Sequence, residues 1–329
     1  MSDVIYEGPF RDHIRNFIKL KQAIGYKYHT NEGHLKYFDK FTRENYPEAT
    51  ALTKEIVLKW CSKRTIESQS TRCSRASSIR QFAEYLDSIN FNAFIIPKRY
   101  YHKGNQYVPY IYTTEELKKF FAETDRCNYS TECPYRHEIM PVIFRMIYMC
   151  GLRVSEARLL RVADVDIENG ILTILQSKND NDRLVPMSNI LWERCRNYAQ
   201  NVHPHPIADD YFFPALGGKP MTIGNVYHNF RMFLWRAGIS HGGKGHGPRV
   251  RDFRCSFAVH CLKKWVEQEK DLMVYLAVLK TYMGHDSFDE TAYYLHLTAD
   301  VFPDITFKIE TRYPGIIPEL DGKNIDKTY

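Results

Sequence analysis

Apolar residues recur at helical spacing along nearly the whole chain, and this periodicity limits the possible folds more than any other feature. In the first 90 residues, four such runs are separated by turn-forming residues, which predicts four helices of ~10–18 residues. Each run has one apolar face that needs a partner. Residues 1–90 are therefore expected to form a small helical bundle.

A single stretch departs from this helical pattern. Residues 165–187, VDIENGILTILQSKNDNDRLVPM, contain β-branched runs interrupted by turn signals at Gly170 and at residues 179–182. This predicts three strands joined by short turns. The flanking sequence is helical, with interruptions at residues 203–222 and 238–248, and strands do not alternate with helices. The predicted fold class is mainly α with a small antiparallel β-sheet.

The composition along the chain predicts two domains, a linker and a tail. Residues 91–112 contain two prolines, a glycine and a Lys–Arg pair, typical of an extended linker between a helical domain (1–90) and a second domain (113–300). The second domain begins with a capping box at Thr113 and Glu116. The tail, residues 301–329, is apolar and flanked by prolines. It is expected to dock either on a neighbouring protomer or on its own domain.

The positive charge is concentrated in the first third of the chain. Residues 1–112 hold 18 Lys and Arg against 11 Asp and Glu, whereas the remainder is close to neutral. This asymmetry favours a polyanionic partner such as double-stranded DNA, with a solvated basic face as the alternative. The basic residues expected to contact DNA phosphates are Lys63, Arg64, Arg72, Arg75, Arg80, Lys98 and Arg99.

Other sequence features argue against secretion, membrane insertion and metal binding. The N-terminus has no signal-peptide core, and no run reaches the ~18 apolar residues of a membrane span, so a cytoplasmic, nucleoid-associated protein is expected. Eight cysteines without a CxxC pair are typical of reduced thiols. The spacing Cys127-x5-Cys133-x3-His137 lacks a fourth ligand and is interpreted as a loop. Neither a metal nor another cofactor is expected.

Four blocks in the second domain contain the candidate catalytic residues. Gly151 predicts a helix end that places Arg153 on a turn, with Glu156 one helical turn later. Arg251 and Arg254 are three residues apart, which places them on one helix face. In chain order the blocks are GLRVSEARLLRVADVD (151–166), ILQSKNDNDRLVP (174–186), GPRVRDFRCSFAVH (247–260) and MGHDSFDETAYYLHLTAD (283–300).

The second block contains a lysine at a predicted turn, and the fourth contains a tyrosine placed to act as a nucleophile. The predicted hairpin presents Lys178 at its tip. Gly284 and His285 form a predicted turn, and Tyr294 follows nine residues after the histidine. This spacing would let an imidazole reach a phosphate while the phenol attacks it.

In this order and spacing, the four blocks resemble those of the tyrosine recombinase (phage integrase) family. The family's G-L-R-x-S-E box places Arg153 on its arginine, and Lys178 matches the lysine of the family's hairpin. The arginine of the H-x-L-R-H box is the second arginine of the family's site, and Arg254 matches it. The L-G-H box and the nine-residue step match His285 and Tyr294. The helical first third resembles the family's core-binding domain, so the resemblance covers about residues 8–300.

The resemblance implies an enzyme that cuts and rejoins DNA without metal or ATP, as a tetramer on two DNA sites. Arg153 and Arg254 would stabilise the transition state at the phosphate. Tyr294 would attack to give a 3′-phosphotyrosine, with Lys178 protonating the departing oxygen. His285 would donate to a non-bridging oxygen or help accept the phenol proton. The expected role is integration or excision of a mobile genetic element.

The third block departs from the family pattern at two positions. Arg251 replaces a usual histidine, and Cys255 replaces a usual His or Thr. Arginine donates to phosphate but cannot act as a base near neutral pH. Arg251 therefore either adds electrostatic stabilisation or slows the enzyme.

Three alternatives follow from these residues and stay open. The chain could be a catalytically impaired accessory DNA-binding protein of the same fold, for which Arg251 is the support. It could also be a type IB topoisomerase-like enzyme that relaxes DNA. Finally, Tyr293 would be the nucleophile if its helix were offset by one residue.

Overall fold

The computed structural model describes residues 5–26, 28–98, 100–101, 107–131, 133–175, 182–243 and 247–313, without the side chains of residues 299, 300, 303, 306 and 310. The chain divides into two compact units, Met1–Gln106 and Tyr107–Tyr329. Each unit has its own hydrophobic core.

The described part of the N-terminal unit contains four helices: α1 (Arg11–Ala23), α2 (His29–Asn45), α3 (Lys54–Trp60) and α4 (Gln69–Ser88). Thr53 and Ser68 accept hydrogen bonds from backbone N–H groups and cap α3 and α4. Phe17, Phe38 and Phe82 are almost fully buried between the helices. Their helical spacing in the sequence placed them on the inner faces.

The segment expected to be a linker contributes to both units at its ends. Ala93 forms a parallel bridge with Leu52, and Ile96 is buried in the N-terminal core. At the other end, Tyr112 is fully buried and its backbone N–H donates to the Ser256 hydroxyl at 3.0 Å. Residues 107–112 are therefore part of the second unit.

The second unit is mainly helical with one small sheet. Strands β1 (Val165–Asp166), β2 (Ile171–Ile174) and β3 (Arg183–Pro186) pair antiparallel in the order β1-β2-β3, with Leu172 opposite Val185. The predicted class, mainly α with a small antiparallel sheet, is confirmed. Its helices are α5 (Thr114–Asp125), α6 (Arg136–Met149), α7 (Val154–Leu159), α8 (Asn189–Val202), α9 (Ile223–Arg236), α10 (Asp252–Glu267), α11 (Leu272–Met283), α12 (Phe288–Val301) and α13 (Pro303–Arg312).

Helix α10 lies between two apolar clusters of this unit. On one side Phe253 contacts Phe120 and Phe144, within a core built on the strongly apolar α6. On the other side α10 packs against α11, α12 and α13, and α13 buries Ile305 and Ile309 there. The first part of the tail, up to residue 313, thus packs on its own unit, and residues 314–329 lie outside the description.

Two further features of the described residues concern metal binding and membrane insertion. In the described part of the chain, no group of three His, Cys, Asp or Glu side chains is placed to hold a metal ion. Cys127 and Cys133 are buried free thiols between α5 and α6. Among the described helices, none combines the length and apolar character needed to cross a membrane.

Candidate active site

Four chain segments converge on one site in the second unit: the α6–α7 turn, strand β3, the start of α10 and the α11–α12 turn. Two of these turns depend on glycines in the left-handed region, Gly151 at φ +59° and Gly284 at φ +64°. Each ends a helix and exposes a backbone carbonyl. These carbonyls become hydrogen-bond acceptors for the arginines of the site.

Arg153 immediately precedes α7 and is held by the carboxylate of Glu156. Its backbone N–H donates to Glu156 Oε2 at 2.8 Å, and its Nη1 donates to Oε1 at 2.7 Å. Its Nη2 also donates to the Gly284 carbonyl at 3.3 Å. The side chain of Arg153 keeps 21% of its surface exposed, whereas that of Glu156 keeps 4%.

Arg254 joins two of the turns from inside the protein. Its Nη1 donates to the Gly151 carbonyl at 2.6 Å, and its Nη2 donates to the Met283 carbonyl at 2.7 Å. The side chain is almost fully buried, and this burial lowers the pKa of Arg254. Arginine nevertheless keeps its proton in proteins, so a fixed positive charge lies at the junction of the turns.

Arg183 was not among the candidates from the sequence, yet it lies in the centre of this cluster. Its Nη1 and Nη2 donate to Glu156 at 3.2 and 2.9 Å, and its Nε donates to the Tyr282 carbonyl at 2.9 Å. Along β3, Arg183 and Val185 alternate inward with exposed Leu184. That alternation was the available signal, because it places Arg183 on the buried face of its strand.

Glu156 is the shared counter-ion of the arginines. Its carboxylate contacts Arg153, Arg183 and, at 4.0 Å, Arg254. Burial acts to raise the pKa of Glu156, but hydrogen bonds and charge from Arg183 and the charge of Arg254 lower it to about 2. One carboxylate faces three guanidinium groups, which leaves the site positively charged and suited to an anion.

His285 follows Gly284 and is buried beside the arginines. Its Nδ1 lies 2.9 Å from the hydroxyl of Thr291 on α12, which orients the ring. Burial and the charges of Arg254, Arg153 and Arg183 lower the pKa of His285 to about 3. The imidazole is therefore neutral near pH 7, with one ring nitrogen that donates a hydrogen bond and one that accepts.

Tyr294 lies on α12 next to this histidine. The two rings are nearly parallel, with centroids 5.7 Å apart and an interplanar angle of 22°. Burial and the neighbouring Cys255 raise the pKa of the Tyr294 phenol, whereas Arg254 and Arg251 act to lower it. Tyr293 is half-buried, with its ring centroid 6.0 Å from that of Tyr294.

The two atypical residues of the third block both lie near Tyr294. Cys255 is buried in the same apolar cluster as Tyr294, and burial raises the pKa of its thiol to about 12. Arg251 precedes α10 and has an exposed side chain. Its positive charge acts to lower the pKa of both neighbours.

The site lies within the part of the chain that matches a known protein family. The Phage integrase family profile matches residues 112–300, which includes every residue of the site described above. The chain belongs to the phage integrase (tyrosine recombinase) family. The protein named "Putative integrase/recombinase y4rB" of Sinorhizobium fredii is 28% identical to this integrase-family chain over 310 residues, covering 92% of the chain and 98% of that protein. Tyrosine recombinase XerD of Proteus mirabilis is 30% identical over 161 residues, 48% of this chain and 47% of that protein.

Solved structures share the fold of this family member. The XerH site-specific recombinase bound to palindromic difH substrate, a post-cleavage complex, has a TM-score of 0.62 at 20% identity, covering 89% of this chain and 82% of that one. The Tn1549 transposon integrase in complex with transposon right end DNA has a TM-score of 0.63 at 13% identity, covering 92% and 99%. Both likenesses show that the fold is that of a tyrosine recombinase.

The residues expected to contact DNA differ in accessibility within this integrase-family chain. Lys63, Arg64 and Lys98 are exposed, and Arg80 is half-buried. Arg72 is half-buried with its guanidinium 4.0 Å from the Tyr101 ring centroid. Arg99 and the candidate catalytic Lys178 lie outside the described residues.

Arg75 requires a correction. Its side chain is 2% exposed and its guanidinium donates to Glu67 at 2.9 and 2.6 Å, as well as to the carbonyls of Ser62 and Trp60. The expectation that Arg75 contacts a phosphate is therefore wrong. It is on the inner face of α4 because Ile79 and Phe82 follow it at helical spacing.

Proposed function

We propose that this protein is a site-specific DNA recombinase that cuts and rejoins DNA through a 3′-phosphotyrosine at Tyr294. The observation that carries the proposal is the convergence of Arg153, Arg254, His285 and Tyr294 from four separate parts of the chain. Two guanidinium groups, a neutral imidazole and a phenol are the functional groups that phosphodiester cleavage by a tyrosine requires.

The arginines provide transition-state stabilisation. A phosphodiester resists attack because its oxygens carry negative charge, and this charge increases as the fifth oxygen bonds to phosphorus. Arg153 and Arg254 are anchored by backbone carbonyls and by Glu156, so their charges are already oriented before the reaction begins. Such preorganised donors stabilise the developing charge without reorganisation.

Tyr294 attacks the phosphorus, and the bond to the 5′ oxygen of the next nucleotide breaks. The phenol proton passes to a base, and the departing oxygen gains a proton to become a 5′-hydroxyl. His285 is the proposed acceptor of the phenol proton, because the negative charge of a bound phosphate would offset the arginines that lower the pKa of its imidazole. Lys178 is the proposed donor of the proton to the departing oxygen, because its position in the sequence matches the lysine of the family's hairpin. Because one phosphoester replaces another, a 5′-hydroxyl from a second DNA reverses the step without ATP.

The N-terminal unit is proposed to bind the DNA duplex through exposed basic residues such as Lys63, Arg64 and Lys98. The charge excess of residues 1–112 supports this, as does the fold shared with a recombinase and an integrase whose structures contain DNA. Recombination joins two duplexes, which favours a tetramer on two sites. The likeness to a transposon integrase supports a role in moving a mobile genetic element.

Covalent attachment to DNA tests this proposal. Duplexes are first selected by binding from a random-sequence pool, then nicked beside each phosphate in turn, so that the short cleaved product is lost and the adduct is trapped. Wild-type protein should give a covalent adduct on a denaturing gel, and Tyr294→Phe should bind equally well without forming it. Tyr293→Phe is the matched control and should form the adduct at the wild-type rate.

The outcomes separate the competing functions. Binding without any adduct from wild-type protein would favour the impaired accessory protein. An adduct with relaxed plasmid but no joined duplexes would favour a type IB topoisomerase-like enzyme. An adduct that persists in Tyr294→Phe and is lost in Tyr293→Phe would move the nucleophile to Tyr293.

A further inference from the structure

We infer that Arg183 is a positioning residue that holds the Gly284–His285 turn against the Arg153–Glu156 pair. The inference rests on the proposed function, because its consequence is measured as a rate of DNA cleavage. Arg183 lies in the second sequence block but is not among the candidate catalytic residues. Its contacts, however, join three of the four segments that build the site.

The guanidinium of Arg183 donates hydrogen bonds to two different residues. The Nη groups face the carboxylate of Glu156 at 3.2 and 2.9 Å, and Nε donates to the carbonyl of Tyr282 at 2.9 Å. The side chain is 5% exposed, so these bonds are shielded from water. A planar fork of this kind fixes the orientation of both acceptors, which a point charge would not do.

Contacts around Gly284 show how closely Arg183 meets the turn. A Cβ added at Gly284 would lie 2.9 Å from Arg183 Nη1 and 3.1 Å from its Cδ, closer than ordinary packing allows. The missing side chain leaves the space that the guanidinium fills. A second hydrogen bond connects the same two elements, with the donor on α11 and the acceptor on β3. The Tyr282 hydroxyl donates to the Pro186 carbonyl at 3.0 Å. Strand β3 and the end of α11 are thus joined immediately before His285.

Arg183 also determines how Glu156 is shared. Its guanidinium donates to both carboxylate oxygens of Glu156, whereas the side chain of Arg153 donates to one of them and Arg254 stays 4.0 Å away. Without Arg183, the buried carboxylate would attract the two remaining guanidinium groups more strongly. Arg254 in particular would move from 4.0 Å towards Glu156 and away from the phosphate that it is proposed to bind.

The test compares Arg183→Gln and Arg183→Lys with wild-type full-length protein on the same nicked duplex. Affinity for the duplex and the single-turnover rate of adduct formation are measured separately, well below the melting temperature. If Arg183 is a positioning residue, Arg183→Gln should bind the duplex with an affinity within about twofold of wild type. Its cleavage rate should be lower by about 100-fold, the effect typical of misplaced catalytic groups. Arg183→Lys should also be slow, because lysine keeps the charge but not the fork.

Arg145→Gln is the matched control for lost stability. Arg145 is likewise a buried arginine of this unit with a two-point contact to a carboxylate, Asp125 at 2.8 and 2.6 Å, but it does not touch the site residues. Arg145→Gln should lower the melting temperature as Arg183→Gln does and leave the cleavage rate unchanged. Equal rate losses in both variants, or full activity in Arg183→Lys, would overturn the inference. A wild-type protein that forms no adduct would instead contradict the proposed function.

Discussion

Arg254 donates a hydrogen bond of 2.6 Å to the carbonyl oxygen of Gly151, 103 residues earlier in the chain. The carbonyl is available because Gly151 has a left-handed backbone, φ +59°. Gly151 also packs closely against the ring of Phe257, because a Cβ added at position 151 would be 2.6 Å from Cδ1 of that ring. The glycine therefore provides both the turn geometry and the space that bring Arg254 and Arg153 together.

Gly151→Ala is expected to lower stability and to slow cleavage. The left-handed conformation costs an alanine about 1–2 kcal/mol, and the contact with Phe257 adds to this. Displacement of the turn would move the acceptor of Arg254, so adduct formation should slow even below the melting temperature. Gly238→Ala is the control, because φ is +70° there with no atom within 4 Å of the added Cβ. It should lower the melting temperature only, and an equal loss of cleavage in both variants would contradict the argument.

Arg251→Ala is expected to slow cleavage at least about tenfold, with DNA binding largely retained. The positive charge of Arg251 acts to lower the pKa of the Tyr294 phenol, and its loss makes the phenolate harder to form. Arg251→Lys should keep most of the rate if charge is what matters. Single-turnover adduct formation measures both.

The same series bears on the alternative of an impaired accessory protein. Arg251→His restores the residue usual in the family. If wild-type protein formed no adduct while Arg251→His formed one, the natural arginine would be impairing. Cleavage by Arg251→Ala at the wild-type rate would show that Arg251 does not contribute at all.

Much of the fold was predictable because the two kinds of secondary structure have different apolar periods. A period near 3.6 predicted the helices, and the β-branched runs around Gly170 predicted the small sheet. Arg153, Arg254, His285 and Tyr294, which the structure brings together, could be selected because each follows or precedes a recognisable turn or box. Their contacts could not be predicted, since the carbonyls of Gly151 and Met283 carry no side-chain signal.

Arg183 and Arg75 show that charge alone does not predict whether an arginine is exposed or buried. Arg183 follows a polar turn, so its charge is typical of a solvated hairpin, and only the alternation with Val185 places it inside. Arg75 was grouped with surface charges, although its helical spacing to Ile79 and Phe82 places it on the inner face of α4. In both cases the partner is a buried carboxylate outside the arginine's own helix or strand: Glu67 lies 8 residues from Arg75, and Glu156 lies 27 residues from Arg183. Such pairs cannot be identified from one sequence.

Arg75→Ala and Arg64→Ala should therefore have different effects. Arg75→Ala leaves Glu67, with a side chain 5% exposed, without its guanidinium partner, which costs about 3–5 kcal/mol. The N-terminal unit should melt at lower temperature. Arg64 is exposed, so Arg64→Ala should keep the melting temperature and weaken DNA binding, with the salt-dependence slope reduced by about 1.

Thermal unfolding and DNA affinity at several salt concentrations check this pair of variants. Lys63→Ala is a second exposed variant and should behave like Arg64→Ala. If Arg75→Ala were fully stable and showed the same reduction in salt slope, Arg75 would have to be reassigned to the DNA-binding surface.

His285 should make the folded protein less stable in mild acid. In the folded protein its pKa is about 3, held down by burial and by Arg254, Arg153 and Arg183, whereas in the unfolded chain it is near 6.5. Between these values the unfolded state binds a proton that the folded state does not. The free energy of unfolding therefore falls as pH decreases below 6.5, by up to about 1.4 kcal/mol per pH unit from this group.

His285→Gln removes this contribution. Urea unfolding of wild type and His285→Gln at pH 7.5, 6.0 and 5.0 measures it as a difference, which cancels groups common to both proteins. At pH 7.5 the histidine is neutral in both states, so the difference there reports only lost contacts such as the bond to Thr291. From pH 7.5 to 5.0 wild type should lose more stability than His285→Gln. Parallel curves over this range would mean that the folded protein protonates His285 as readily as the unfolded chain, and that the neighbouring arginines do not hold it neutral.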